Sequence, residues 1–565
     1  MANIFEGQHE FSEPNEELQN LPEQKLNNKI KYIHQVLKVS KKKKTFRMWG
    51  AFIYRDKRDK NDPQNLGEPH FIMGEKIYSF KKVFSIKFSK KSEFFIYRLD
   101  IPYKDILNTG VHNDLYISAI NEKGVGYKKQ FKYISFMPIK PSILWHGPIK
   151  EFPEKNISTY FRQGAKNFVY ITAKEINITD KFGQRFIIAL AFILSRLLFF
   201  IRTIVLFEKQ ASEYQASASV MFEKLIDESY KRVYFILDRD VEENYEIDEK
   251  YKKNIVWKYS FKHYLVFFMA KLYLSSESIF HGTELRTINR FIHFHVLWVK
   301  NKIPYIFLQH GVMYMVRLDA EYRWGFRYGR TFKENSRIIV SSELEAKHFV
   351  DYADFPRKNL YVTGLAQWDR VEYDSLSDNA DKIMILPTWR HWELAEARIT
   401  PEQTGYYKLM ERIVSNIPEK YRDNILLIPH PLIIEYFKST KLGKYIPEDT
   451  NNWISYLDKV KLLITDYSSI SYFAFYRGSN IIFDWSDLEE SMEKGYKGAL
   501  MLNEENTFGD IVYDEDKELA KLVEKNMENS RREKYVDNYS RIVEFKDGHN
   551  ADRIIEKLKE DKFLK

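Results

Sequence analysis

Beyond about residue 155 the chain alternates short apolar runs with longer stretches of helical texture. Ile204–Phe207, Val233–Leu237 and Tyr305–Leu308 read as buried strands, since each is a brief apolar run bounded by polar or turn residues. Tyr214–Asp227 and Phe261–Tyr273 read as helices between them. A second alternation follows, with strands at Ile383–Leu386, Ile425–Ile428, Leu462–Ile464 and Ile481–Phe483 and a helix over Tyr406–Val414. Strand–helix alternation predicts parallel sheets covered by helices. Two such series in one chain predict an α/β pair of Rossmann-type domains facing a cleft, with ligands at the carboxyl ends of the strands.

The texture upstream is different. From Phe46 to about Phe136 the pattern is strand-like, with β-rich runs at Val83–Phe88, Phe94–Leu99 and Asp114–Ile120. Asn108-Thr109-Gly110 and Glu122-Lys123-Gly124 supply turns between such runs. A small β-sandwich-like domain is expected there, serving as a spacer or as a contact for a polymer or partner. The pattern divides the chain into a polar mobile tail (1–44) ending in the basic run Lys41–Lys44, a β-rich accessory domain (45–150), a first Rossmann-like domain (151–375), and a second with C-terminal helices (376–565).

The longest apolar stretch, Phe186–Phe207, is broken by Arg196 and Arg202. A spanning helix needs about 20 apolar residues with few charges, so this stretch is not read as one. Two readings stay open: a buried helix leading into a strand, or a helix in a membrane interface with Arg185, Arg196 and Arg202 meeting anionic headgroups. Met1–Gln24 is polar and acidic and lacks the pattern of a secretory signal.

Composition narrows the chemistry. The 565 residues exceed one core, and 44% hydrophobic content with 30% charged residues fits several globular domains. Cysteine is absent, which excludes disulfides, thiolate metal ligands and thiol catalysis. The net charge of +9 is modest, and no arginine-rich run, zinc-finger spacing or RNA-binding motif accompanies it, so nucleic acid is not expected as a partner.

Four strand ends carry candidate chemistry. Tyr305–Leu308 runs into Gln309-His310-Gly311; Ile385-Leu386-Pro387 into Thr388-Trp389-Arg390; Leu427-Ile428-Pro429 into His430-Pro431; and Leu462–Thr465 into Asp466-Tyr467-Ser468-Ser469-Ile470. A helix opening after Tyr467 would offer unpaired N–H groups and two hydroxyls to phosphate. Arg390 could grip phosphate oxygens bidentately, and Thr388 could donate a hydroxyl bond. His430 would stabilise charge on a leaving group if it donates a proton, and His310 has the basicity of a general base. Each piece alone is commonplace: a His-Gly is usually a turn, and Asp466 could serve only as a helix cap. Their order along paired α/β domains is what points to transfer from a nucleotide-diphosphate donor.

From about residue 200 onward the chain resembles the CDP-glycerol glycerophosphotransferase family, the teichoic-acid and capsule polyol-phosphate polymerases and primases. The matching segments are Thr388-Trp389-Arg390, His430-Pro431, Thr465–Ser469, Ile481-Ile482-Phe483 with Asp487, Gly364 through Asp369, and Asp547-Gly548. The resemblance implies a GT-B-like architecture, a CDP-linked glycerol or ribitol donor with CMP as leaving group, no metal or other cofactor, and peripheral attachment to the cytoplasmic face of a bacterial membrane. It further implies that Arg390, His430, Ser468 and Ser469 hold the diphosphate, with Thr388, Pro431, Asp466 and Asp487 on the donor side. His310 would take the proton of a hydroxyl on a lipid-linked or polymeric polyol-phosphate acceptor.

The chain departs from the family at its first motif. Gln309-His310-Gly311-Val312-Met313-Tyr314-Met315 stands where Trp-His-Gly-Thr-Pro-Leu-Lys is usual, and Gln367 stands where Arg is frequent. Trp145-His146-Gly147-Pro148-Ile149-Lys150 is closer in wording, but it precedes the first Rossmann strands and is set aside on chain order. Arg317, Arg323 and Arg327, in a basic-aromatic stretch after His310, are expected to guide a polyanionic acceptor. The alternative functions are a glycosyltransferase of the same architecture using a nucleotide sugar, and a non-catalytic polymer-binding protein. Self-association is left open.

Overall fold

The computed structural model describes residues 30–56, 70–73, 76–89, 92–107, 112–120, 126–130, 149–163, 169–285, 287–320, 326–449, 453–513 and 516–564. The chain forms two compact units: residues 1–185 with 287–293, and residues 186–286 with 294–565.

The first unit is an antiparallel β-sandwich. One sheet has the order β1-β2-β6-β5, from β1 (Ile30–Lys41), β2 (Thr45–Asp56), β5 (Lys81–Ser89) and β6 (Ser92–Pro102). The other is β4-β3-β7-β11-β10-β9, with β8 (Gly126–Gln130) paired to β7. Its strands are β3 (His70–Met73), β4 (Lys76–Ser79), β7 (His112–Ile120), β9 (Lys150–Phe152), β10 (Ile157–Gln163) and β11 (Val169–Glu175). Phe46, Phe52 and Phe95 of one sheet share a core with Phe71, Leu115 and Ile171 of the other. Phe46 meets Phe161 edge-on at 5.3 Å. Two boundaries differ from the sequence reading. Residues 30–41 are a strand, because β1 pairs along β2 and buries Val36, while the basic run closes the hairpin through Lys42 N–H to Thr45 O. The sandwich also continues past residue 150, since β9–β11 complete its second sheet. Trp145–Pro148 and residues 1–29 lie outside the described residues.

The second unit holds the GT-B-like pair of parallel sheets. The first has the order β14-β13-β12-β15-β16-β17-β18. Its strands are β12 (Thr203–Phe207), β13 (Val233–Leu237), β14 (Ile255–Trp257), β15 (Ala270–Ser275), β16 (Tyr305–Phe307), β17 (Ser336–Val340) and β18 (Leu360–Val362). The second runs β20-β19-β21-β22-β23, from β19 (Lys382–Ile385), β20 (Ile425–Leu427), β21 (Val460–Thr465), β22 (Asn480–Asp484) and β23 (Asp510–Val512). β12 is buried throughout, as a central parallel strand covered on both faces must be. The helix read over Phe261–Tyr273 stops at Phe268, and β15 begins two residues later. Tyr264–Ala270 is apolar without a break across this junction, so periodicity does not mark where helix gives way to strand.

Both sheets contribute to one hydrophobic core, with Ile306 and Leu308 alongside Leu463, Tyr467 and Phe483. Backbone bonds from Met501 N–H to Met315 O and from Arg317 N–H to Ala499 O, each 2.9 Å, tie the loop after β16 to the second half. The last helix, Asn550–Glu560, returns to the first sheet's side. Asp369 caps it through Asn550 N–H (3.0 Å) and Ala551 N–H (2.7 Å), and Tyr361 Oη donates to Asp561 (2.6 Å). The Gly364–Asp369 segment is thereby explained as architecture. Gly364 has φ +79°, and a Cβ there would collide with Asn550 Oδ1.

Two buried histidines brace this unit in neutral form. His263 accepts Tyr259 N–H at Nδ1 (3.0 Å) and donates from Nε2 to Gly282 O (2.7 Å). His295 accepts from Arg196 at Nδ1 (3.2 Å) and donates from Nε2 to Tyr273 Oη (2.7 Å). Burial, the main cause, pushes their pKa values down to about 4 and about 3. Such groups take up protons on unfolding at any pH between the folded and unfolded values, so stability falls as pH drops below about 6.5. Acidification from neutrality to pH 5 is expected to cost about 2 kcal/mol for each histidine. Melting curves across that range test this, with His263→Gln flattening the dependence.

Candidate functional site

Each parallel sheet has a topological switch point. In the first, the chain leaves β12 toward β13 and β14, then resumes on the other side at β15. In the second, it leaves β19 toward β20 and resumes at β21. Ligands of open α/β sheets bind outside the strand ends at such points. Glu208-Lys209 and Ser276-Glu277 follow β12 and β15, while Thr388-Trp389-Arg390 and Asp466–Ser469 follow β19 and β21.

The β19/β21 pair is organised by a buried ion cluster. Arg390, only 4% exposed, makes four hydrogen bonds: Nε and Nη2 to Asp487 Oδ2 (2.8 and 2.5 Å), and Nη1 to Asp466 Oδ2 (2.8 Å) and to Thr388 O. Asp466 Oδ1 accepts Thr388 N–H (2.8 Å) and Tyr467 N–H, and Tyr467 Oη donates to Asp487 Oδ1 (3.0 Å). Burial alone would favour losing the Arg390 proton, but the two carboxylates more than offset it and hold the guanidinium charged. The sequence assigned Arg390, Asp466 and Asp487 to donor binding. The structure closes them on one another, and the three fasten the Thr388 loop to the Asp466 turn. Thr388 Oγ1, buried and without a hydrogen-bond partner among the described residues, remains a donor in waiting.

His430 and the two serines stand outside that cluster. His430 stacks on Trp389 at 4.4 Å and 14°. Its Nδ1 accepts Leu432 N–H (3.2 Å), so the neutral ring carries its proton on Nε2. Burial, aided by Lys209, lowers its pKa. The ring is therefore a neutral N–H donor at physiological pH. Pro431, exposed beside it, starts the turn in which Ile433 and Ile434 N–H donate to His430 O (3.0 and 3.1 Å). Ser468 and Ser469 lead into the helix Ile470–Arg477, where Ser471 N–H and Tyr472 N–H bond back to Ser468 O and Ser469 O (each 3.2 Å). Neither serine hydroxyl is engaged in a hydrogen bond among the described residues.

His310 follows β16 on a strained turn. Gln309 has φ +58° and is fully buried. Its Nε2 donates to Ile339 O (2.5 Å) and Glu345 Oε1 (3.3 Å). Buried Glu345 also accepts Met313 N–H (2.7 Å) and Ser341 N–H (2.6 Å), stapling both sides of the loop. Strain held by so many bonds keeps the next residue in place. The His310 side chain is 60% exposed, with Nδ1 3.5 Å from Ser276 O and 4.0 Å from Glu277 Oε1. Gln367 Nε2 donates to His310 O (3.3 Å). A Cβ at Gly311 would lie 3.1 Å from Ser469 Oγ, so the His310 loop and the Ser468-Ser469 turn meet.

Three residues here escaped the sequence reading: Lys209, Glu277 and His281. Lys209 is exposed, has no ion pair among the described residues, and acts electrostatically on Glu277, His281 and His430. The available signal was its place two residues after the apolar run Thr203–Phe207. Of the proposed acceptor residues, Arg317 is bound to Asp319 (Nε to Oδ1, 3.1 Å) and lies over Tyr352 (4.7 Å), Arg327 is exposed, and Arg323 lies outside the described residues.

The sequence profile of the CDP-Glycerol:Poly(glycerophosphate) glycerophosphotransferase family matches residues 190–560. The chain belongs to this family. Among solved structures, this glycerophosphotransferase-family chain is similar to the wall teichoic acid polymerase TagF, at 18% identity and TM-score 0.48 over 67% of this chain and 93% of that one. A variant of TagF soaked with CDPG gives 17% identity and TM-score 0.48, over 67% and 98%. A glycosyltransferase from Rickettsia africae ESF-5 gives 10% and 0.30, over 64% and 97%. No curated protein sequence matches significantly.

Proposed function

We propose that this glycerophosphotransferase-family chain moves a polyol phosphate, glycerol or ribitol phosphate, from a CDP-linked donor to a hydroxyl of a teichoic-acid or capsule-type polymer. The observation that carries this reading is the meeting of the His310-Gly311 loop with the Ser468-Ser469 turn, at the carboxyl ends of two parallel sheets. The donor diphosphate lies against the Ser468 and Ser469 hydroxyls, the Ile470 amide that opens their helix, and His430 Nε2–H. Lys209 adds positive charge from the first sheet, so the pyrophosphate charge is met by protein groups rather than by a metal ion. An acceptor oxygen attacks the polyol-bearing phosphorus, the bond to the CMP oxygen breaks, and His310 Nε2 takes the hydroxyl proton. Positioning and charge stabilisation dominate such a transfer.

Identifying the released nucleotide tests the reading. Purified full-length chain is incubated separately with CDP-glycerol, CDP-ribitol and a set of nucleotide sugars in the presence of a polyol-phosphate acceptor. CMP from a CDP-polyol supports phosphotransfer and names the polyol. A nucleoside diphosphate from a sugar donor would make the chain a glycosyltransferase.

The same reading places the chain on a membrane surface. No helix among the described residues is long and apolar enough to cross a membrane. The end of the helix Phe182–Leu197 and the residues after it nevertheless expose Ile193, Leu197, Phe199 and Phe200, and the neighbouring helix Arg290–Lys302 exposes Phe294 and Trp298. A clustered apolar surface of this kind marks an interaction site. Arg196 and Arg202 beside it have no carboxylate partner among the described residues, which suits anionic headgroups on the cytoplasmic face. Co-sedimentation with phosphatidylglycerol vesicles is expected. Phe199→Glu with Phe200→Glu should abolish it, and neutral phosphatidylcholine vesicles should bind more weakly.

A further inference from the structure

We infer that Glu277 is the positioning residue for His310, and that His281 holds Glu277 from its other side. The inference rests on the reading of His310 as the base and goes further, naming what makes it one. β15 delivers Glu277 to the switch point. Its backbone is fixed by Glu277 N–H to Ser275 Oγ (3.0 Å) and by Tyr305 Oη, which donates to Glu277 O. Its carboxylate lies between two imidazoles, with Oε1 4.0 Å from His310 Nδ1 and Oε2 3.6 Å from His281 Nε2.

The hydrogen-bond pattern sets the direction of this row. His281 Nδ1 accepts Gln210 N–H at 3.0 Å, and a backbone amide can only donate. The neutral ring must then carry its hydrogen on Nε2, facing Glu277. Burial, then Lys209, Lys258 and His310, push the His281 pKa down to about 4, so it stays a neutral donor at physiological pH. On the other side, His310 Nδ1 faces only acceptors, the Ser276 carbonyl and the Glu277 carboxylate. That edge favours Nδ1–H, which leaves the lone pair on exposed Nε2, where a base needs it. Separations of this size tighten on substrate binding in many active sites.

Glu277 accepts no proton in the reaction. The acceptor hydroxyl proton goes to His310 Nε2 and later to solvent, while Glu277 stabilises the imidazolium through its charge. Lys209, Glu213, His281, His310 and Tyr305 are the titratable groups acting with Glu277. Burial raises its own pKa, with His310 and Lys209 opposing. The row thus carries a carboxylate whose charge depends on the cations beside it.

The test uses full-length protein, wild type and the variants Glu277→Gln, Glu277→Asp and His310→Ala. Glu277→Gln is expected to lower kcat for CMP release by about 100-fold, with KM for donor and acceptor within about threefold. Glu277→Asp should restore much of the rate. NMR of isotope-labelled histidine, with the His310 signal assigned by its loss in His310→Ala, reads the tautomer without turnover. Nδ1–H is expected in the wild type and a mixture in Glu277→Gln. Unchanged kcat in Glu277→Gln, or lost kcat with neither an Asp rescue nor a tautomer change, would overturn the inference. An Nε2–H wild-type tautomer would overturn it even if Glu277→Gln failed to fold. Full turnover by His310→Ala would instead remove the base reading, an outcome separable because the tautomer measurement stands without it.

Discussion

Arg390→Ala is expected to destabilise the chain by about 3–5 kcal/mol, the usual cost of removing one partner from a buried ion cluster. The guanidinium is 4% exposed and bonds Asp466 and Asp487 together with Thr388 O. Deleting it leaves two carboxylates facing one another, Asp466 with no exposed surface at all. Arg390→Lys should recover only part of the loss, because an ammonium cannot bridge both carboxylates with the same planar fork. Asp466→Asn in the Arg390→Ala background should be less harmful than in the wild type, since it removes the stranded charge. A double-mutant cycle in melting temperature reads the coupling. An Arg390→Ala variant that melts as the wild type does, yet binds donor poorly, would return Arg390 to the role of an open phosphate ligand.

His310→Ala is expected to lower kcat by about 10²–10⁴-fold, the range of general acid–base catalysis. Little change is expected in stability or in donor affinity. The ring is 60% exposed, and its loop is held by Gln309 and Glu345 rather than by the imidazole itself. Loss of the side chain thus removes a base without removing a support. Melting curves, donor binding and turnover measured on one preparation separate these effects. A variant that turns over within about threefold of the wild type would exclude His310 as the base.

The parallel sheets were legible because buried parallel strands are short and uniformly apolar, as β12 and β16 are. The strand ends with polar motifs were legible for the same reason: a sharp change from apolar to polar marks where the sheet stops. Glu277 was hidden because the apolar run Tyr264–Ala270 hides the junction of helix and β15, so the whole segment read as one helix and the polar residues after it did not read as a strand end. Arg390 was found, but the carboxylates that hold it were not paired with it. A sequence displays the charge of an arginine but not its partners, and Asp466 and Asp487 reach it from 76 and 97 residues away. His430 shows the reverse case. Its tautomer, set by the Leu432 amide, decides that it donates, and no spacing in the sequence encodes that.

The most direct test of polyol-phosphate transfer is the mass of the acceptor. A short polyol-phosphate primer is incubated with purified chain and CDP-glycerol or CDP-ribitol, then analysed by mass spectrometry. Growth by whole polyol-phosphate units with the wild type, and none with His310→Ala, is the predicted result. A primer that stays unchanged with both donors, or that gains a sugar from a nucleotide sugar, would contradict it.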